Sequence, residues 1–417
     1  MTDGRALRQP VRPTPPPPGI DLLDGTFYAD PARSHAAYTW LREHAPVHLD
    51  AGGQVWGVAT YDAVLEASRD PARFSSAGGI RPDMGALAHM IDMDDPAHAK
   101  RRRLVSRGFT PRRVAEAEPA LRRLCDELID AVCERGECDL VADIAAPLPM
   151  AVIGDLLGVD KADRATLLRW SDDMVSSQGG NATPAQVTAA TSAYVGYVAH
   201  ARRVITARRA EPTADLVSVL VHAEVDGERL TDDDVVAESL LVLIGGDETT
   251  RHVISGGVEQ LLRHPDQWLA LRADPARVPV AVEEMLRWVS PIKNMCRTAT
   301  TDLSWRGARI LAGQKLLLLY ESANFDDARF AEPEAFDAAR TPNDHLALGN
   351  GPHFCLGNSL ARLETRVMLE QLLGRLPDLA LAGGDALPRR PATFVSGLES
   401  MPVTFTPTRP MSSQEPA

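Results

Sequence analysis

One cysteine set among glycines, with a helical pattern directly behind it, restricts this chain more than any other feature. The stretch is Leu348-Gly349-Asn350-Gly351-Pro352-His353-Phe354-Cys355-Leu356-Gly357-Asn358-Ser359-Leu360-Ala361-Arg362, and helical spacing continues to about residue 375. The sulfur is thereby expected on a loop at a helix N-terminus, where free amide N–H groups and the positive end of the helix dipole favour an anion. A thiolate in such a place has a lowered pKa. Gly349, Gly351 and Gly357 let backbone lie close against a flat ligand. Three readings fit these residues. A cysteine nucleophile would use His353 as its base. A zinc site would need three further ligands, of which His345 and His353 supply at most two. A haem-thiolate loop needs the glycines, one cysteine and a basic residue for a propionate, and all are present.

The other cysteines are Cys125, Cys133, Cys138 and Cys296. An odd total in a chain of 417 residues, without a Cys-x-x-Cys pair, argues against a disulfide framework. These four read as small buried thiols. The formal charge of −13 speaks against nucleic acid as the main partner. The longest apolar runs, Leu240 to Ile244 and Leu316 to Tyr320, fall far short of the ~20 residues of a membrane span. No apolar core of a signal peptide is visible, and a cytoplasmic protein is expected. The Pro-rich start, Pro13-Thr14-Pro15-Pro16-Pro17-Pro18-Gly19, predicts a mobile tail over 1–20, with the folded body at 21–410 and a short tail at 411–417.

Helix dominates the pattern, with a smaller β component. Short helices are expected over 31–45 and 61–70, flanking a strand-like stretch at 46–59. Residues 111–135 carry Val114, Leu121, Leu124, Leu128, Ile129 and Val132 at helical spacing. Residues 148–158 read as a buried helix ending at Gly158. The Gly-, Ser-, Thr- and Ala-rich stretch 176–192 suggests a mobile connection between helices. A long helix is expected from the capping signal at Thr231 to about His264, apolar nearly all round at Leu240–Ile244. Further helices fall at 278–288 and 357–375, with strands and turns at 295–319 and loop at 321–345.

Three smaller constellations have bland readings when taken alone. Gly245-Gly246-Asp247-Glu248-Thr249-Thr250 interrupts the long helix, and propensity alone suggests a kink with back-bonded threonines. Glu284-Met285-Leu286-Arg287 is an i, i+3 acid–base pair of the kind common on helix surfaces. His98 and Arg102 share one helix face.

Together with the cysteine loop, these residues resemble the cytochrome P-450 superfamily. The loop matches its Phe-Gly-x-Gly-x-His-x-Cys-x-Gly signature at Gly349, Gly351, His353, Cys355 and Gly357, and departs from it at Leu348, a position that bears on redox potential. The resemblance implies a mainly α fold with a smaller β part in a single triangular domain. It implies haem b (iron protoporphyrin IX) held by Cys355, and dioxygen as co-substrate. His98, Arg102, Arg297 and His353 would reach the haem propionates. Gly245 and Gly246 would open the long helix for dioxygen, with Glu248 and Thr249 as proton-delivery acid and alcohol. Glu284 and Arg287 would form a structural lock, whose usual third member is replaced by Ala335, with Arg340 as its substitute. The basic run Lys100, Arg101, Arg102, Arg103, Arg107, Arg112 and Arg113 would receive a ferredoxin, itself served by a separate reductase.

The resemblance extends over nearly the whole chain after about residue 20. It is similar in particular to the actinobacterial hydroxylases of the terminal side-chain methyl of cholesterol and cholest-4-en-3-one. Met90 to Pro96, Ile244 to His252, Glu283 to Trp288, Lys293 to Arg297, Glu321 to Asp326 and Phe394 to Met401 carry that likeness. Ile80, Met84, Leu87, Met90, Val242, Ile292, Met295, Leu398 and Met401 are the candidate pocket residues, an apolar set suited to a large hydrophobic substrate. The same chemistry on a polyketide or peptide intermediate is the alternative within this class. A non-catalytic haem-thiolate sensor or carrier is the alternative outside it.

Overall fold

The computed structural model describes residues 20–177, 182–225, 227–384 and 386–411. Apart from Ile20 and Met411, the two expected tails lie outside these residues.

The apolar run at Leu240–Ile244 decides the architecture, because a helix apolar all round must be surrounded. The central helix spans Asp232–Arg263, 32 residues and about 48 Å. Thr231 and Asp234 cap it reciprocally: each side chain meets the other's backbone N–H. It is buried along most of its length, against the helices Pro147–Leu157, Val278–Val289 and Asn358–Arg375. The main apolar core lies among these helices and the helix Pro111–Asp130, with Leu121, Ile129, Val258, Met285, Val367 and Met368 at its heart. A second core forms along the N-terminal half of the central helix, with Arg164–Ser176 and Pro184–Ala210.

The β part is smaller, as the sequence predicts. Five strands run in the order Val47–Leu49, Val55–Val58, Lys315–Leu319, Asn294–Ala299, Phe74–Ser75. Val55–Val58 pairs parallel to Lys315–Leu319, and the remaining pairs are antiparallel. A three-stranded sheet joins Ala380–Leu381, Pro402–Thr404 and Glu137–Asp139.

One expected element is corrected. The stretch 176–192 is not a continuous connection, because the helix Pro184–Ala210 begins inside it. Thr183 and Gln186 form a capping box and Pro184 sits in the first turn, which starts a helix firmly. Within the helix, the small residues Ala185, Ala189 and Ala190 favour it. Residues 178–181 of that stretch lie outside the described ones. The expected loop at 321–345 also opens with a short helix, Tyr320–Asn324.

Candidate active site

The cysteine loop leaves a 3-10 turn at Gly351–His353 and enters the helix Asn358–Arg375. Gly349 and Gly351 hold φ of +68° and +72°, which favour glycine. At Gly351 there is a second reason: an added Cβ would stand 2.3 Å from the Ser68 carbonyl oxygen. Gly351 therefore seats the loop on the helix Tyr61–Arg69 and is not part of the cavity wall. The Cys355 N–H donates to Leu348 O at 2.9 Å, and Asn358 Nδ2 donates to Cys355 O at 2.8 Å. Behind the loop, Arg362 grips Glu283 at 2.7 and 2.9 Å, tying the helix to Val278–Val289.

Cys355 opens onto a cavity. Its walls come from the central helix (Leu241, Val242, Gly245, Gly246, Thr249), the strand region (Pro291, Ile292, Met295) and the cysteine loop. Most of the lining is apolar. Among its polar lining, His98, Arg102 and Arg297 gather around His353. The His98 and His353 rings lie 4.2 Å apart. Burial and the positive charge of Arg297, His98 and Arg102 push the His353 imidazole down to about 3. His98 Nδ1 meets Asp95 at 3.2 Å, while its buried Nε2 has no partner. Concentrated cationic groups with an orphaned ring nitrogen suit a ligand carrying carboxylates.

The sulfur leads to the same conclusion. The sequence suggests a lowered thiol pKa, but the surrounding protein raises it: burial pushes Cys355 up, and the Gly357 N–H, Arg102 and Arg362 recover only part. A thiolate there needs a cation at the sulfur itself, which a haem iron supplies. Above the loop, Gly245 has no atom within 4 Å of where a Cβ would stand, so the central helix presents open space there. At Gly246 a Cβ would strike Ile153 Cδ1 at 2.4 Å, so that glycine serves helix packing. The residues fit a haem: Cys355 is the available iron ligand, and His98, Arg102, Arg297 and His353 are the side chains available to its carboxylates.

Thr249 reaches the cavity, and its hydroxyl donates to Gly245 O at 2.7 Å, the back-bonded geometry. Glu248 is fully buried and turned away from the wall. Its Oε2 lies 2.7 Å from Arg390 Nη1 and its Oε1 3.5 Å from Arg251. Glu284 and Arg287 are buried, paired at 2.8 Å by two bonds, and Arg340 joins the same carboxylate at 3.1 Å.

Of the expected pocket residues, Met90, Val242, Ile292 and Met295 line the cavity. The structure does not bring the other five there. Ile80 packs with Val175, Phe394 and Val395. Met84 and Leu87 are more than a third exposed on a loop. Leu398 and Met401 are consumed by the main core. Apolar composition cannot separate a wall from a core. Much of the basic run is already neutralised within the chain: Lys100 pairs with Glu228, Arg101 with Asp234 and Glu238, Arg112 with Glu116.

Sequence reasoning missed Phe109, Ile153, Leu241, Tyr320 and Glu364 as lining residues. Glu364 had a signal: an acid nine residues past Cys355, on the buried face of a helix. Arg390 and Asp172, which meet at 3.3 Å beside Glu248, had none, because remote segments bring them together.

This combination of a long central helix, with glycine and a back-bonded threonine at the cavity, and a cysteine loop, in a helical body with a small sheet, defines the cytochrome P450 class. The family model for Cytochrome P450 matches residues 277–377. The chain belongs to that family. Within it, the chain is 58% identical over 395 residues to the steroid C26-monooxygenase of Mycobacterium tuberculosis strain H37Rv, covering 94% of this chain and 99% of the relative. It is 38% identical to the methyl-branched lipid omega-hydroxylase of the same strain, covering 96% and 99%. Among solved structures it resembles cytochrome P450 CYP109Q5 from Chondromyces apiculatus (TM-score 0.83, 36% identity, 93% and 98% covered). It also resembles CYP109E1 from Bacillus megaterium in complex with testosterone (TM-score 0.83, 33% identity, 89% and 97% covered). No described helix is long and apolar enough to cross a membrane.

Proposed function

We propose that this protein is a haem-thiolate monooxygenase that hydroxylates the terminal methyl of a sterol side chain, with cholest-4-en-3-one or cholesterol as substrate. The observation that carries the reading is the identity to steroid C26-monooxygenases over nearly the full length of both chains. The apolar cavity above Cys355 supports it, since a sterol side chain offers no polar handle. The cofactor is haem b. Bound there, it would supply activation of dioxygen with electrons taken one at a time, a chemistry that the Cys355 thiolate would favour.

The chain's own residues hold and protonate. Cys355 would hold the iron, Arg102 and Arg297 would neutralise the propionates, and His98 and His353 would donate hydrogen bonds to them as neutral imidazoles. Met90, Val242, Ile292 and Met295 align the alkyl chain and exclude water. Thr249 presents its hydroxyl where Gly245 leaves room, and Glu248 resupplies the proton that the hydroxyl gives up. Electrons come from a ferredoxin, served by a separate reductase, that docks at the basic run between Lys100 and Arg113, in the cytoplasm.

An absorption spectrum of the reduced protein under carbon monoxide, followed by titration of the ferric protein with cholest-4-en-3-one, tests the reading. A strongly red-shifted Soret band and a low-to-high-spin shift at low sterol concentration are expected, and Cys355→Ala removes both. A thiolate band without a sterol response, but with one to a methyl-branched fatty acid or a polyketide, reassigns the substrate. Absence of haem from protein expressed with ample haem supply overturns the class.

A further inference from the structure

His252 lies one helical turn beyond Glu248 on the central helix and is buried. Both of its ring nitrogens lack a partner. A buried imidazole with two unsatisfied nitrogens is costly and calls for a reason. Its Nε2 stands 3.8 Å from Glu248 Oε2, too long for a hydrogen bond but within about 1 Å of one. That same oxygen is held on its other side by Arg390 at 2.7 Å. The ring itself cannot wander. Gly397 packs so closely on it that an added Cβ would be 2.3 Å from both Cγ and Nδ1. The segment that carries Gly397 also carries Arg390, whose N–H donates to Gly397 O at 2.9 Å. One hairpin therefore fixes both neighbours of the Glu248 oxygen. Burial and the charges of Arg390, Arg251, Lys293 and Arg389 keep the imidazole neutral, so it can accept a hydrogen bond.

We infer that His252 is a positioning residue for Glu248: it receives the protonated carboxyl when that group leaves Arg390. The inference rests on the proton-delivery role proposed for Glu248. As a carboxylate, Glu248 pairs with Arg390. Once it takes up a proton from the solvent side, the ion pair is lost and the new O–H needs an acceptor. A rotation of the side chain brings Oε2–H to His252 Nε2, with the imidazole proton on Nδ1. Arg390 is not stranded, because Asp172 Oδ1 already lies 3.3 Å away and is partly open to solvent. The proton then passes to the Thr249 hydroxyl as that hydroxyl releases its own, and Glu248 returns as carboxylate to Arg390. No bond to carbon changes, and His252 neither gains nor loses a proton.

The test uses the haem-loaded enzyme with a ferredoxin, its reductase and cholest-4-en-3-one, and compares His252→Leu, His252→Gln, His252→Asn and Glu248→Gln. The readouts are product formed per reductant consumed, peroxide released, and the solvent deuterium isotope effect on turnover. Sterol affinity and the reduced carbon monoxide spectrum report intact binding. H252L is expected to slow turnover by about tenfold or more, raise peroxide and enlarge the isotope effect, with sterol affinity unchanged. H252Q, which can place an acceptor near the Nε2 position, restores coupling, and H252N, which is too short, does not. If H252L fails to fold, the contrast between Gln and Asn carries the test. Wild-type coupling and isotope effect in H252L and H252N, alongside a defective E248Q, overturn the role of His252. An E248Q enzyme that is itself fully coupled overturns the proton-delivery role of Glu248, and this inference with it.

Discussion

Arg340 Nε stands 3.1 Å from Glu284 Oε2, on a carboxylate that Arg287 already grips at both oxygens. Asn343 Nδ2 and the Asp337 N–H add bonds of 3.0 and 2.9 Å to the same group. The carboxylate is fully buried and well supplied with donors, so its ion pairing is compensated by geometry. Arg340 thus occupies the third place that Ala335 leaves open.

Removing Glu284 leaves two guanidinium groups without their anion in a region shielded from water. Glu284→Ala is expected to cost about 3–5 kcal/mol, and Arg340→Ala less, about 1–3 kcal/mol, since its edge touches solvent. Chemical denaturation followed by the Soret band would check this order. A milder loss for E284A than for R340A would contradict it.

Gly246 and Ile153 should behave as a coupled pair. Gly246→Ala drives a methyl into Ile153 Cδ1 and is expected to destabilise by about 1–3 kcal/mol. Ile153→Val deletes that atom and should recover part of the loss, a coupling a double-mutant cycle in urea would measure. Gly245→Ala has room and should leave stability nearly unchanged while altering ligand spectra. Independent, additive effects of G246A and I153V would show that the contact relaxes elsewhere.

Glu238 makes stability depend on pH. Its Oε1 accepts from the Met90 N–H at 2.8 Å, and burial pushes its pKa up from 4.5 to about 7, against the pull of Arg101. Between those values the folded chain retains a proton that the unfolded chain has released, so stability falls as pH rises from about 4.5 through about 7. Glu238→Gln keeps an acceptor for Met90 and removes the titration. Its stability relative to wild type should therefore grow between pH 5 and pH 8, by up to about 3 kcal/mol. Parallel denaturation midpoints at the two pH values would rule the effect out.

Arg297 should govern haem retention. It is buried, its Nη1 donates to Cys296 O at 2.8 Å, and it helps depress the proton affinity of His353. Arg297→Ala removes a cationic donor worth about 1.5–3 kcal/mol to a bound carboxylate. Transfer of haem to a scavenger protein should then run roughly ten- to a hundredfold faster. An unchanged transfer rate would place the propionates elsewhere.

The chemistry of this fold was legible wherever it is written in consecutive residues. Cys355 with its glycines, the Thr231 cap and the Gly245–Thr250 stretch each carry a local pattern with a physical cause, although the helix runs unbroken through Gly245 and Gly246 where propensity suggested an interruption. Glu284 and Arg287 looked like a surface pair and gained meaning only from the resemblance, since burial is not a local property. The pocket wall was half legible. Met90, Val242, Ile292 and Met295 differ from Leu398 and Met401 only in what faces them, and spacing within one segment cannot report a partner from another. The helix at Pro184 was misread because alanine and threonine in number suggest looseness, although Thr183 and Gln186 were there to start a turn. Asp172, Arg390, His252 and Gly397 come together from three separate segments, and their meeting at Glu248 had no sequence signature.

The parallel pairing of Val55–Val58 with Lys315–Leu319 also has a consequence in time. The second and third strands of the five-stranded sheet are about 260 residues apart in the chain. A ribosome adding ~5–20 residues per second leaves the early strand waiting roughly 13–52 s for the strand beside it. Through that interval its hydrogen-bonding edge faces the cell unprotected, and Cys355 has not yet been made. The growing polypeptide must therefore be kept from pairing with its neighbours until about three-quarters of it exists, so the yield of this protein in a host should depend on chaperone supply during synthesis as well as on haem.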